Sequence, residues 1–226
     1  MREIVLDTET TGLDPKSHRI LEIACVELVN HLPTGAKFHT LVDPEMDVPA
    51  ESAAIHGITN AKLKGAPVFA AIVSEFLEFI GEAKLVIHNA EFDVGFINAE
   101  LGRLGFPKIP LARALDTVHM ARKKFPGAPA SLDALCKRFG IDNAHRTLHG
   151  ALLDADLLAK VYLELIGGRQ AGLLGTEPAE AGNAGPIVAT LPKGPARAPR
   201  PHGPTEAEAA AHAAMLAKLK SPVWLN

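Results

Sequence analysis

The sequence predicts an α/β protein with a mixed β-sheet flanked by helices, followed by a flexible C-terminal linker and a tail helix. Short apolar runs rich in Ile, Val and Leu have the length of buried strands. Apolar residues at helical spacing separate the later runs, which is typical of helices packed on the faces of a sheet. With 226 residues, of which 47% are hydrophobic, the chain can build one domain with a core and additional segments.

The first three apolar runs predict three consecutive strands, at residues 3–8, 19–29 and 38–42. Their short connections favour antiparallel neighbours. Between the second and third strands, the segment 31–35 contains Pro33 and Gly35 and is the predicted hairpin turn.

Helices and further strands alternate in the rest of the domain. Residues 55–59 (IHGIT) predict the opening of a helical stretch, with Thr59 or Asn60 as its cap. Pro67 suits the first turn of the next helix, which Gly81 ends. The remaining predictions are a buried strand at 85–87, a short apolar stretch before Asp116, and helices at 91–104, 131–140 and 151–166. Ser131 is the predicted cap of the second of these helices.

Composition excludes few functions. The net charge of -3 gives no global basic field for nucleic acid, but a metal ion can bridge an acidic pocket to phosphate. Cys25 and Cys136 lie far apart in apolar contexts, so we expect reduced core residues. No N-terminal signal pattern and no run of 18 apolar residues is present, which predicts a soluble, cytoplasmic protein.

Composition changes abruptly after residue 168. From 169 to 204, 20 of 36 residues are Ala, Gly or Pro, which predicts a flexible linker. Thr205 and Glu208 then form a capping-box pattern that opens a helix to about Lys220. The sequence therefore divides into a domain at 1–168, a linker at 169–204 and a tail at 205–226. The tail presents an apolar stripe and an exposed tip, formed by Met215, Leu216, Leu219, Val223, Trp224 and Leu225.

Two acids, Asp7 and Glu9, lie at the end of the first predicted strand. Residues two apart on a strand point to the same face, so their carboxylates should project together. Two like charges this close repel each other unless a cation lies between them, and hard oxygen ligands suit Mg²⁺ or Mn²⁺. Taken alone, the pair is equally well explained as an acidic strand end in a solvated loop.

Three more residues could complete a metal site. Asp93 lies near the start of the helix after the 85–87 strand, and Asp154 follows His149 by five residues at the start of the last domain helix. Singly, each acid is best explained as a first-turn residue that complements the helix dipole, and His149 as a surface or capping histidine. The set of two strand-end acids, a later Asp and a His-x4-Asp pattern is more informative than its members.

These patterns resemble the motifs of a known family. Asp7-x-Glu9, the His88-Asn89-x-x-Phe92-Asp93 block and His149-x4-Asp154 resemble the three motifs of the DEDDh exonucleases. Within that family, the resemblance is to the proofreading subunits of bacterial replicative polymerases, and it covers residues 1 to about 168. It implies a ribonuclease H-like fold, a site for two divalent cations and 3′→5′ hydrolysis.

The residue types agree with that chemistry. The resemblance implies that Asp7, Glu9, Asp93 and Asp154 hold two divalent cations, Mg²⁺ or Mn²⁺, whose charge balances the four carboxylates. A histidine can take a proton from water at neutral pH, so His149 suits a general base. The terminal nucleotide would then contact Thr8, Thr10 and His56. An equally good explanation of the threonines is that they satisfy turn backbone.

The tail and the start of the linker resemble partner-binding segments. The tail helix and Trp224 resemble the segment by which such proofreading subunits bind the polymerase catalytic (alpha) subunit. Gln170 and Leu173 loosely resemble a sliding-clamp-binding peptide, but its final aromatic residue is missing because position 175 is Gly.

Three functions remain open at this point. The first is a proofreading exonuclease acting on single-stranded or frayed 3′ ends of DNA. The second is an RNA 3′-end-trimming exonuclease of the same family, which the motifs do not separate from the first. The third is a non-catalytic polymerase-binding adaptor. The presence of a suitable residue at all five catalytic positions is evidence against it. The long tail favours the first.

Overall fold

A five-stranded mixed sheet forms the centre of the computed structural model, which describes residues 1–146, 148–167 and 203–218. The strands lie in the spatial order β3-β2-β1-β4-β5, with β1 in the middle. Both β1–β2 and β2–β3 pair antiparallel, whereas β4 and β5 run parallel to β1. The strands are β1 (Arg2–Thr10), β2 (Ile20–Val29), β3 (Leu32–Leu41), β4 (Lys84–Ile87) and β5 (Ala114–Asp116). The predicted mixed sheet is therefore confirmed.

Helices cover both faces of this sheet. They are α1 (Ala50–His56), α2 (Phe69–Ile80), α3 (Ala90–Arg103), α4 (Thr117–Lys124), α5 (Leu132–Phe139) and α6 (Ala151–Leu165), with a 3-10 turn at Leu111–Arg113. In a separate unit, α7 (Glu206–Leu216) begins with the predicted capping box between Thr205 and Glu208 and buries none of its residues. None of the helices in the described ranges is long and apolar enough to cross a membrane.

Alternation along β1 divides the core in two. Ile4 and Leu6 face the layer that contains α2 and α3, whereas Val5 faces the layer that contains α4, α5 and α6. Even-numbered residues of β1 therefore point toward α3, and odd-numbered residues toward α6. This parity decides which site residues can meet at the carboxyl end of the strand.

The predicted hairpin turn at 31–35 is wrong. The turn is formed by Asn30 and His31, both with positive φ (52° and 67°), and β3 already begins at Leu32. A two-residue turn with two left-handed residues matches the twist of the flanking strands, and asparagine adopts that conformation more readily than most residues. Pro33 is tolerated because β3 is an edge strand.

The segment 55–59 ends a helix and does not open one. The last residue of α1 is His56, and Gly57 adopts a left-handed conformation (φ 68°) while donating its N–H to the carbonyl of Ala53. A glycine in this position is the usual end of a helix. Helix α4 was not predicted, although its start is marked by Asp116, whose side chain accepts from the N–H groups of Val118 and His119.

Other predicted helix ends are confirmed. Gly81 follows α2 and Gly140 follows α5, both with positive φ. The hydroxyl of Ser131 accepts from the backbone N–H of Ala134 at the start of α5. The start of α2 lies two residues later than predicted, because Val68 and not Pro67 precedes its first turn.

Candidate active site

Asp7 and Glu9 lie at the carboxyl end of the central strand. As odd-numbered residues they share the face of Val5 and point toward α6, whereas Thr8 points toward α3. The strand is bordered on both sides by β2 and β4, so its end lies in the middle of the sheet edge. Groups from both helical layers can therefore meet there.

Asp93 reaches this edge from α3, the helix that follows β4. It is 3% exposed, and its Oδ1 accepts from both the backbone N–H of Thr8 (3.0 Å) and the Thr8 hydroxyl (2.7 Å). Burial raises the pKa of Asp93 to about 7, although the Thr8 hydrogen bonds oppose the shift. The even-numbered Thr8 thus fixes Asp93 against β1.

Asp154 reaches the edge from the first turn of α6, together with His149 from the preceding loop. Asp154 is 4% exposed, and both of its oxygens accept from Arg146, at 2.6 Å from Nε and 2.7 Å from Nη2. The same Nη2 lies 2.9 Å from Nδ1 of His149, and Nη1 donates to Asp133 at 2.9 Å. Sequence reasoning missed Arg146 because a single arginine in an irregular loop has no periodicity or motif to mark it.

The acids share one cavity of about 480 Å³, which is lined by all five predicted catalytic residues and by Arg146. Oxygen or nitrogen atoms of Glu9, His149 and Asp154 all lie within 4.8 Å of one another. Burial, followed by the charge of Asp154, raises the pKa of Glu9 to about 8. Burial and then the charge of Asp93 raise the pKa of Asp7 well above its usual value, while Arg146 opposes both shifts.

This donor set fits divalent metal ions. Four carboxylates converge on one pocket, and burial, with repulsion from neighbouring acids, raises the pKa of three of them. Carboxylate oxygens are the ligands that Mg²⁺ and Mn²⁺ prefer. Arg146 supplies a single positive charge against four acids, so further cations would relieve the repulsion.

Comparison with known proteins agrees with this chemistry. The family described as Exonuclease matches residues 4–162, a span that contains the five acidic and histidine positions described above. The chain belongs to the exonuclease family. It is 55% identical over 174 residues to the DNA polymerase III subunit epsilon of Rickettsia conorii, covering 75% of this chain and 76% of the relative. The subunit of the same name from Escherichia coli K12 is 48% identical over 176 residues, covering 74% and 72%.

Solved structures place this exonuclease in the ribonuclease H-like fold. The nuclease domain of 3′hExo, a DEDDh family member bound to rAMP, is 20% identical with a TM-score of 0.63, covering 73% of this chain and 91% of that one. Exonuclease X in complex with 5′ overhanging duplex DNA is 25% identical with a TM-score of 0.56, covering 73% and 90%. The family match and the two epsilon-subunit relatives show that this exonuclease is a 3′→5′ enzyme, and enzymes of its family use divalent metal ions.

The predicted substrate-binding residues line the same cavity of the exonuclease. The Thr8 hydroxyl donates to Asp93, and the Thr10 hydroxyl donates to the carbonyl of Gly12 at 2.7 Å. His56 is 6% exposed, its Nδ1 accepts from the N–H of Ile58 at 3.0 Å, and its Nε2 has no hydrogen-bond partner within the described residues. The Thr10 hydroxyl thus satisfies turn backbone, as the second explanation expects, whereas the Thr8 hydroxyl bonds the side chain of Asp93 from another element. Nε2 of His56 is buried without a hydrogen bond to the described residues.

Glu22 is a second residue that sequence reasoning missed. It lies on β2 directly opposite Glu9, is buried, and accepts from the backbone N–H of Ala151 at 3.0 Å. Its other oxygen lies 2.6 Å from Nε2 of His39. An acid inside the apolar run of β2 was the available signal, since a buried carboxylate needs partners.

The predicted partner-binding residues fall outside the described ranges. They are Gln170, Leu173 and Trp224. Their roles, and the division of the chain at 168 and 204, remain predictions.

Proposed function

We propose that this exonuclease proofreads during DNA replication, as a subunit of DNA polymerase III that hydrolyses mispaired 3′-terminal nucleotides. The observation that carries the proposal is the convergence of Asp7, Glu9, Asp93 and Asp154, from three different elements, on one cavity beside His149. The two epsilon-subunit relatives, 55% and 48% identical, support the assignment to replication.

In this proposal, the four carboxylates hold two divalent cations, Mg²⁺ or Mn²⁺. When bound, the ions would supply an activated water and neutralise charge on the entering and leaving oxygens. The protein's part is to fix the carboxylates: Thr8 holds Asp93, and Arg146 holds Asp154 through both oxygens. At least one of the two hydrogen bonds from Arg146 to Asp154 must break for Asp154 to act as a metal ligand.

His149 is proposed as the general base. Its side chain is 49% exposed, so water can reach the ring. The guanidinium of Arg146 can only donate, so Nδ1 of His149 accepts and the neutral ring carries its proton on Nε2. His149 can take a proton at Nδ1 only after Arg146 withdraws from that atom.

The base assignment can be separated from a ligand role, which the 4.8 Å grouping with Glu9 and Asp154 would also allow. His149→Ala should lower turnover by about 10²–10⁴-fold while leaving metal affinity nearly unchanged. Isothermal titration with Mn²⁺ beside single-turnover kinetics measures both. An equal fall in metal affinity and rate would show that His149 is a ligand.

His56 is proposed to bind the terminal nucleotide. Because Nδ1 accepts from Ile58, the neutral ring carries its proton on Nε2, a buried atom close to the Thr10 backbone that makes no hydrogen bond of normal geometry within the described residues. Burial lowers the pKa of His56, which keeps the ring neutral at physiological pH. Because Nε2 is buried, the ring or the residues that cover it must shift before its N–H can donate to an oxygen of the nucleotide. The Thr8 and Thr10 hydroxyl oxygens can still accept from the substrate.

Substrate choice tests the proposal against its alternatives. A 3′ end must melt before its terminal phosphodiester can reach acids at the base of a pocket, and mismatched ends melt at lower cost. Mismatched DNA primers should therefore be trimmed faster than matched ones, and DNA faster than RNA of the same sequence. Faster cleavage of RNA would favour the RNA-trimming enzyme. No hydrolysis of either with metal present would favour the polymerase-binding adaptor.

The partners follow from the same assignment. We propose that the tail at 205–226 docks on the alpha subunit of DNA polymerase III, with Trp224 as its anchor. A helix with an exposed apolar stripe suits a groove on a partner. Gln170 and Leu173 are proposed contacts to the sliding clamp.

A further inference from the structure

The start of α6 lacks a cap of its own. Its N-cap residue is Gly150, which has no side chain to accept an N–H. Ala151, the first helical residue, is fully buried, so its N–H cannot turn to water for a partner. This helix end also carries Asp154, with His149 two residues before Ala151.

The missing acceptor comes from another element. Oε2 of Glu22, on β2, accepts from the N–H of Ala151 at 3.0 Å across a sequence separation of 129 residues. Oε1 of Glu22 lies 2.6 Å from Nε2 of His39 on β3. Both oxygens are engaged, so the carboxylate is held in one orientation between the sheet and α6.

Glu22 also lies beside the acids of the site. It is opposite Glu9 in the β1–β2 ladder, so the two side chains share the face that points toward α6. Like charges directly opposite on paired strands are unfavourable. A gain in fold stability therefore does not by itself explain an acid at this position.

We propose that Glu22 is a positioning residue that fixes the start of α6, and with it Asp154 and His149, relative to Glu9. It acts through the N–H of Ala151 and contacts neither substrate nor metal. This inference rests on the proposed roles of Asp154 and His149, but the contact itself can be measured without them.

The test compares Glu22→Leu and Glu22→Ala, which remove the acceptor, with Glu22→Gln, which keeps an oxygen for Ala151 and an N–H₂ for His39. In the metal-free full-length protein, amide exchange at Ala151 should accelerate about tenfold or more in the leucine and alanine variants and stay slow in the glutamine variant. In the leucine and alanine variants, Mn²⁺ affinity or kcat on single-stranded DNA should fall about 10–100-fold, with little change in KM. Glu22→Gln should keep most of the wild-type Mn²⁺ affinity and kcat.

Glu27→Ala is the matched control. Glu27 lies on the same strand and pairs with Arg2 at 2.6 Å, so its loss removes an acid contact of β2 away from the site. We expect it to leave Ala151 exchange, metal affinity and kcat unchanged.

Several results would overturn the proposal. Slow Ala151 exchange together with normal kcat in Glu22→Leu and Glu22→Ala would show that α6 needs no such acceptor. A glutamine variant as impaired as the alanine variant would assign the effect to charge. A rise in KM at constant kcat would place Glu22 in substrate binding. If the wild-type protein does not cleave DNA, the proposed function fails, whereas Ala151 exchange still reports the positioning contact.

Discussion

Arg146 is the cation that the described structure places directly against the acids of the cavity. Its side chain is 7% exposed and bonds Asp154, His149 and Asp133 at once. A buried carboxylate that loses its cation becomes costly, because desolvation is no longer offset. The contacts of Arg146 therefore contribute both to the stability of the metal-free protein and to the positions of Asp154 and His149 in the site.

The first prediction follows from that link. Arg146→Ala should destabilise the metal-free protein by about 3–5 kcal/mol, because Asp154 is left buried and unpaired. Thermal unfolding with and without Mg²⁺ measures this, and Mg²⁺ should recover most of the loss by binding the folded state. Arg146→Lys keeps one positive charge and should lose less. An alanine variant that unfolds at the wild-type temperature without metal would contradict the account.

A pH dependence follows from the carboxylates themselves. In the metal-free protein, the pKa of Glu9 is raised from 4.5 to about 8 and that of Asp93 from 3.8 to about 7, chiefly by burial. The folded protein then binds more protons than the unfolded chain between these values. The stability of the metal-free protein should therefore fall as pH rises from about 4 to 8.

Metal binding should reverse that trend, because carboxylates must lose their protons to act as ligands. Mn²⁺ affinity should increase between pH 6 and about 8.5, with proton release at the lower pH. Calorimetry in two buffers of different ionisation enthalpy measures both quantities. Equal affinity across this range, without proton release, would show that the acids are already ionised in the metal-free protein.

At this scale, sequence reasoning found the residues that carry motifs and missed those that act through tertiary contacts. Asp7 and Glu9 share a strand face because of local geometry alone, so their spacing was sufficient. The roles of Arg146 and Glu22 depend on which loop or helix packs beside them, at separations of 8 and 129 residues from their partners. No local pattern contains that information.

At the scale of elements, the end of α1 is coupled to the loop that carries His149. A Cβ added to Gly57 would lie 2.7 Å from Cδ1 of Leu148, and the N–H of His149 donates to the carbonyl of Ile55 at 3.1 Å. Gly57 thus ends α1 through its left-handed conformation and leaves room for Leu148 because it has no Cβ.

Gly57→Ala should therefore destabilise the protein and slow turnover. The left-handed backbone alone costs about 1–2 kcal/mol with a Cβ present, and the half-exposed side chain of Leu148, next to His149, must move to make room. Gly140→Ala is the control, since Gly140 ends α5 at φ 67° with nothing within 4 Å of an added Cβ. The free energy of unfolding should fall by a similar amount in both variants. The rate of DNA cleavage should fall only for Gly57→Ala. Equal turnover in the two would contradict the coupling.

Element ends were predictable where one residue decides them. Gly81, Gly140 and Ser131 mark helix ends through their own backbone freedom or hydroxyl. The turn at Asn30 and His31 was missed because Pro33 and Gly35 are the stronger turn signals in this segment, whereas Asn30 and His31 adopt positive φ without a glycine. The conformation of the turn is set by the pairing of β2 with β3.

At the scale of the whole molecule, the fold brings three sequence motifs to one edge of the sheet. The central position of β1 places its odd-numbered acids against α6 and its even-numbered Thr8 against the Asp93 of α3. The order of the motifs predicted this fold through the family resemblance. The parity that assigns each acid to a helical layer became visible only with the two cores of the structure.

A further prediction follows from the proposal that the domain cleaves DNA and the tail binds the polymerase. A protein of residues 1–168 should cleave single-stranded DNA at a near-normal rate yet fail to co-purify with the polymerase alpha subunit. In the full chain, Trp224→Ala should weaken that complex by about 2 kcal/mol or more, as interface anchors usually do. Binding titrations with alpha measure both. Tight binding of alpha by residues 1–168 would place the interface on the nuclease domain.

The central claim is that Asp7, Glu9, Asp93 and Asp154 form a metal-dependent site for removal of 3′-terminal nucleotides. Its most direct test is the rate at which the 3′ nucleotide is released from 5′-labelled single-stranded DNA, with chelator or with Mg²⁺, by wild type, Asp7→Ala and Asp154→Asn. Wild-type activity should vanish with chelator and return with Mg²⁺ or Mn²⁺. Both variants should lose several orders of magnitude, since one lost ligand misplaces an ion. Cleavage that persists in chelator, or near-wild-type rates in either variant, would contradict the claim.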